Sequence, residues 1–205
     1  MPSRSPRFLT LPLAALLSGA AAAAAAQTKP IQGVDVCTVT GTSGQYSVRV
    51  LNTGDKTLSH ADVLGVLLNS GGQGGKHVTV SLKDLPPGRY KTADLARHGE
   101  SAALVSVATY QMINGVDTPQ YELYAGKVAH VAPGSALQYT LAPLALRGWT
   151  VAYGAAQPRR LEAGSAVLLI YPARPDKKRD LTRPDAGRTP ADVVPLTACP
   201  GARQP

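Results

Sequence analysis

Ser101-Ala-Ala-Leu-Val-Ser-Val-Ala-Thr-Tyr-Gln-Met-Ile113, followed by Asn114-Gly115, is the stretch that decides the fold. It is the longest strand-like run in the chain. Asn-Gly is a pair in which both residues tolerate positive φ, so a tight hairpin is expected directly after it. Tyr121 to Val131 then reads as the returning strand.

Outward from this hairpin the same grammar repeats. Gln45 to Leu51 puts Tyr46, Val48 and Val50 on one side and Ser47 and Arg49 on the other, the period of a strand with one buried face. Val34–Val39 and His77–Leu82 alternate in the same way. Thr57 to Leu68 reads as a buried strand or a short helix, and Tyr90 to Gly99 as ambiguous, with room for one helical turn. Ala136–Leu141, Trp149–Tyr153 and Ala166–Tyr171 are further strands. Between them stand Asn52-Thr53-Gly54-Asp55, Pro86-Pro87-Gly88 and Pro133-Gly134, which are turn formers. The run Ser70-Gly71-Gly72-Gln73-Gly74-Gly75 reads as a flexible loop, because ordering glycine is entropically costly.

About nine to ten strands at hairpin spacing, with no strong amphipathic helix, specify an all-β fold: a single β-sandwich, immunoglobulin-like or related, or a barrel. The expected core comprises Val48, Val50, Val66, Leu68, Val78, Val80, Leu104, Val105 and Val107. Leu123, Val128, Leu141, Trp149, Val151, Leu168 and Ile170 complete it.

The first 26 residues carry an address. Arg4 and Arg7 form a basic head, Phe8 to Leu17 an apolar middle, and Ala20 to Ala26 a small-residue end, the three parts of a cleaved secretory signal. The apolar part is too short for a membrane span. Three segments follow: signal 1–26, sandwich 27–172 and a basic, proline-rich tail 173–205. Loss of Arg4 and Arg7 lowers the formal charge by two, from +8 to +6. The expected location is periplasmic, cell-surface or secreted, and an exported chain of this charge is expected to meet acidic envelope polymers or acidic protein surfaces rather than nucleic acid.

Cys37 and Cys199 are the two cysteines. In an oxidising compartment an even pair reads as a disulfide, here closing a loop of roughly 160 residues, and the chain-entropy model then gives on the order of 3–5 kcal/mol. The tail would be strapped back across the domain.

No motif rises to a catalytic signature. Gly99-Glu100-Ser101-Ala102-Ala103 departs from the G-x-S-x-G elbow at its last position, and a strand rather than a helix is expected after Ser101. Gly75-Lys76 lacks both the upstream glycine and the following hydroxyl of a phosphate loop. His60, His77, His98 and His130 show no short metal-ligand spacing, so neither cofactor nor metal is implied. Tyr121 and Tyr124 are the candidate aromatic platform. Arg174, Lys177, Lys178, Arg179 and Arg183 are the candidate basic contact surface. The function expected is a non-enzymatic, exported module that binds or scaffolds at the cell envelope. The alternatives are a subunit of an envelope or appendage assembly, or an envelope enzyme or metal-handling protein with scattered His and carboxylates.

Overall fold

The structure is a computed structural model, and it describes residues 33–41, 45–72, 74–97, 99–133, 137–144, 149–154, 161–174 and 180–200. Residues 1–26, expected from the sequence to be a signal, lie outside the described residues. The described residues are all-β. Eleven strands run in chain order: β1 Val34–Thr40, β2 Tyr46–Asn52, β3 Leu58–Leu68, β4 Gly74–Leu85, β5 Tyr90–Asp94 and β6 Ser101–Ile113. They continue with β7 Val116–Ala132, β8 Gln138–Pro143, β9 Val151–Gly154, β10 Ala166–Pro172 and β11 Asp192–Pro195. A small sheet has the order β1-β2-β5, and a large one β11-β10-β7-β6-β3-β4 with β8 on β7 and β9 on β8. The two sheets pack face to face as a sandwich and do not close into a barrel.

The inter-sheet core follows from alternation. Val34, Val36, Val48, Val50 and Ala93 of the small sheet meet Ala61, Val63, Leu104, Val107, Leu123 and Leu168 of the large one. Asn114 and Gly115 have φ of 52° and 79°, so the β6–β7 hairpin closes with both central residues left-handed, as the dipeptide requires.

β7 is 17 residues long and serves two partners along one side. Its first part, Val116–Tyr124, pairs with β6, and its last part, Gly126–Ala132, pairs with β8. β6 therefore joins β7 only from Ser106 onward, its residues 101–105 stand apart from β7, and the large sheet forks there.

Four readings are corrected. Trp149 is only half-buried, because β9 begins at Val151 and Trp149 precedes the pleated strand. Val78 and Val80 are half-buried too, since β4 ends the sheet and has β3 alone beside it among the described strands, and so is Leu68, the last residue of β3. Tyr90–Asp94 is a strand rather than a helical turn, held by its ladder to β2. Gly74 and Gly75 belong to β4 rather than to a loop. A Cβ at Gly74 would stand 3.2 Å from Val66 Cγ2, and one at Gly75 would stand 3.3 Å from the Leu67 carbonyl oxygen, so close approach to β3 is what needs glycine there.

The tail contains ordered structure. Residues 180–190 lie over the outer face of the large sheet, where the Ser106 hydroxyl donates to the Leu181 carbonyl at 2.6 Å. β11 then extends the sheet beside β10, burying Val193 and Val194. Beyond it, residues 197–199 run parallel to β1, with Thr38 N–H donating to the Thr197 carbonyl and Cys199 N–H to that of Thr38. The Cys37–Cys199 disulfide is formed, with S–S 2.01 Å. The strap thus ties one edge of the large sheet to the edge of the small one.

Candidate functional site: a forked-sheet pocket beside an open strand edge

The two tyrosines do not form a platform. They are an odd number of residues apart on one strand, so they face opposite ways. Tyr121 packs on the inter-sheet core, while Tyr124 is buried in the outer-face cluster with Tyr139, Leu169 and Tyr171. The Tyr124 hydroxyl donates to the Asp180 carbonyl at 3.2 Å and lies 3.4 Å from Glu122 Oε2.

The basic tail is only partly within view. Lys177, Lys178 and Arg179 lie outside the described residues. Arg174 pairs with Asp185 at 3.9 Å and Arg183 with Asp180 at 3.3 Å, all on exposed side chains. The Asp180 carboxyl sits below its ordinary range, chiefly through the Thr182 hydroxyl that donates to it.

Arg188 is the tail residue with the strongest structural role. It pairs with Glu122 at 3.1 Å, donates to the Pro172 carbonyl and covers the Tyr171 ring at 4.9 Å. Burial pushes the Tyr171 hydroxyl up to about 12, with Arg188 opposing the shift. Burial and then the Glu122 charge raise that of Tyr124 above the ordinary range.

His60 stacks on Tyr110 at 3.9 Å, with Asp62 and Asp117 at 3.8 and 3.7 Å from its ring nitrogens. Among the described residues no three His, Cys, Asp or Glu side chains converge to hold a metal. Ser101 opens β6 at an exposed position, and strand follows it; His98 lies outside the described residues.

Two features of the described surface stand out. The first is the outer side of β4. This strand has 12 residues, ends the large sheet and pairs with β3 alone among the described strands. Lys76, His77 and Lys83 on it are exposed. Lys91 reaches across from β5 and donates to the Lys83 carbonyl. That carbonyl points away from β3. In a regular antiparallel strand the N–H and C=O of alternate residues share a side, so Thr79 and Ser81 also present their backbone groups outward.

The second feature is a pocket of about 490 Å³ on the outer face, at the fork. Its floor is Val66 and Leu68 of β3 with Ala103 and Val105 of β6. Two strand irregularities frame it. The β3–β4 register shifts between Val66 and Leu68, and the β3–β6 register shifts between Leu64 and Gly65, opposite Val105. Bulges leave backbone groups outside the ladder and are over-represented beside functional sites. Gly72, Gly74 and Gly75 form a rim without side chains, His77 is its titratable lining group, and Leu144, 51% exposed, stands on the far rim.

Sequence reading did not find either feature. Gly71, Gly72, Gly74 and Gly75 were the visible signal, but a glycine-rich stretch reads as a loop until the strand it borders is placed. No protein-family model matches the chain, and no curated protein or solved structure is significantly similar to it.

Proposed function

We propose that this is an exported, non-enzymatic protein that works by contact at the cell envelope, taking an extended segment of a protein partner onto the open side of β4. The observation that carries the reading is the long strand edge, paired on one side only among the described strands. Unpaired N–H and C=O groups are a template for another strand, and strand addition is a recurring recognition mode. Lys76 and Lys83 favour a partner segment with acidic residues, and they disfavour indiscriminate self-pairing. The segment 1–26 and the disulfide support export.

The test uses two prolines in the mature protein. Thr79→Pro removes an outward amide and leaves the β3 ladder intact, whereas Val80→Pro breaks that ladder. Retention on isolated envelopes at low salt should be lost in Thr79→Pro while its thermal midpoint stays near that of the wild type. Wild-type retention in a folded Thr79→Pro would overturn the reading.

A further inference from the structure

The pocket at the fork has a chemistry of its own, separate from the β4 edge. Its floor is aliphatic, and among the described residues no phenyl, phenol or indole ring lines it. Among the described residues no carboxylate and no side-chain amide lines it either; His77 is the titratable group of that lining, and the exposed Lys76 adjoins it in sequence. The remaining polar surface is backbone at the glycine rim and the two bulges. The described lining offers a cation no negative charge. It can surround a hydrocarbon chain and give hydrogen bonds to a small anionic head. Its volume lies in the range of pockets that hold small ligands.

Glycine at the rim is what keeps the mouth open. Nothing stands within 4 Å of a Cβ placed at Gly72, so packing does not require glycine there, although its φ of 69° does. A Cβ at Gly74 would press on Val66, a floor residue. Leu144 leaves an aliphatic side chain half in water at the opposite rim, where a bound chain would cover it.

We infer that the fork pocket binds a single aliphatic chain with an anionic head, a fatty-acid-like amphiphile. The chain lies on Val66, Leu68, Ala103 and Val105, and the head meets His77 at the glycine rim. A free amphiphile and the acyl chain of a membrane lipid share this chemistry, so the experiment separates them.

Mature protein is titrated calorimetrically with dodecanoate below its micellar concentration and with dodecyltrimethylammonium. Dodecanoate should bind one to one, and the cation at least about tenfold more weakly. Ala103→Phe fills the floor and should weaken dodecanoate about tenfold or more. Leu144→Asp, a change at an exposed rim that leaves the fold unaffected, should also weaken it. Co-sedimentation with phosphatidylglycerol vesicles that is lost in Ala103→Phe would assign the chain to a lipid. Dodecanoate binding without co-sedimentation would assign it to a free amphiphile. Equal binding of the cation, or binding unchanged in both variants, would overturn the inference. Thr79→Pro should leave dodecanoate binding intact, so the failure of one proposal is distinguishable from that of the other.

Discussion

Arg188 and Glu122, 66 residues apart in the chain, meet at 3.1 Å with 10% and 7% of their side chains exposed, and this pair holds the strap on the sheet. Glu122 stands on β7 beside the ladder to Tyr171 of β10, so the contact joins the strap to the middle of the large sheet. Breaking a buried pair from one side strands the other charge. Arg188→Met should therefore cost about 3–5 kcal/mol in urea unfolding, and the double variant Arg188→Met with Glu122→Gln should recover much of that. Equal loss in single and double variants would contradict this.

Tyr171 is fully buried and its hydroxyl has no hydrogen-bond partner among the described residues. Tyr171→Phe keeps the ring under Arg188 and should change stability at pH 7 by less than about 1 kcal/mol. The alkaline limb is different. The folded pKa is pushed up to about 12 from an ordinary 10.0, so the unfolded chain ionises first. The stabilisation is whole below pH 10 and declines as pH rises from there towards 12, at about 1.4 kcal/mol per unit. Tyr171→Phe should flatten that decline; denaturation midpoints from pH 8 to 11.5 measure it.

Asn52 is fully buried at the end of β2. Its side-chain amide donates to the carbonyls of Lys56 and Leu85, both at 2.8 Å, and its oxygen accepts from Gly54 N–H at 3.0 Å. It fastens the β2–β3 turn to the end of β4. Asn52→Ala leaves these groups unpaired and should cost about 2–4 kcal/mol, read as a shift of the urea midpoint at unchanged slope.

Gly126 is paired by β10 on one side and β8 on the other. A Cβ there would run into Leu169 Cδ1 and stand 3.3 Å from the Ala142 carbonyl oxygen. Gly126→Ala should cost about 1–3 kcal/mol, and Leu169→Ala in the same chain should relieve the side-chain part of the clash. Thermal unfolding of the two variants measures the coupling.

Cys199→Ser should lower stability by about 3–5 kcal/mol in the chain-entropy model. The strap should not detach, because β11 and Arg188 still hold it. Amide exchange should quicken at Thr38 and Cys199, whose hydrogen bonds cross the end of the strap, and stay slow at Val193 and Val194. Full loss of protection through β11 would show that the disulfide holds the whole strap.

How much was legible follows from range. Val48 and Val50 are buried because alternation is a property of neighbours three bonds of pleat apart, and Asn114-Gly115 turns because two residues alone determine its backbone. Tyr90–Asp94 and Asp192–Pro195 were not legible as strands, since segments of four or five residues become strands only when a ladder is offered by β2 or β10. Tyr121 and Tyr124 looked like one surface because they are near in sequence, although their odd spacing sends them to opposite faces.

The amino-acid sequence by itself determined the all-β class, the hairpin, most of the inter-sheet core and the pairing of the only two cysteines, because each rests on local period, turn chemistry or a count of two. Tertiary structure alone decided that β6 stands apart from β7 before Ser106, that two bulges and three glycines surround the resulting pocket, that β4 ends its sheet, and that Glu122 receives Arg188. These depend on which strands become neighbours across tens of residues, and no local period carries that information.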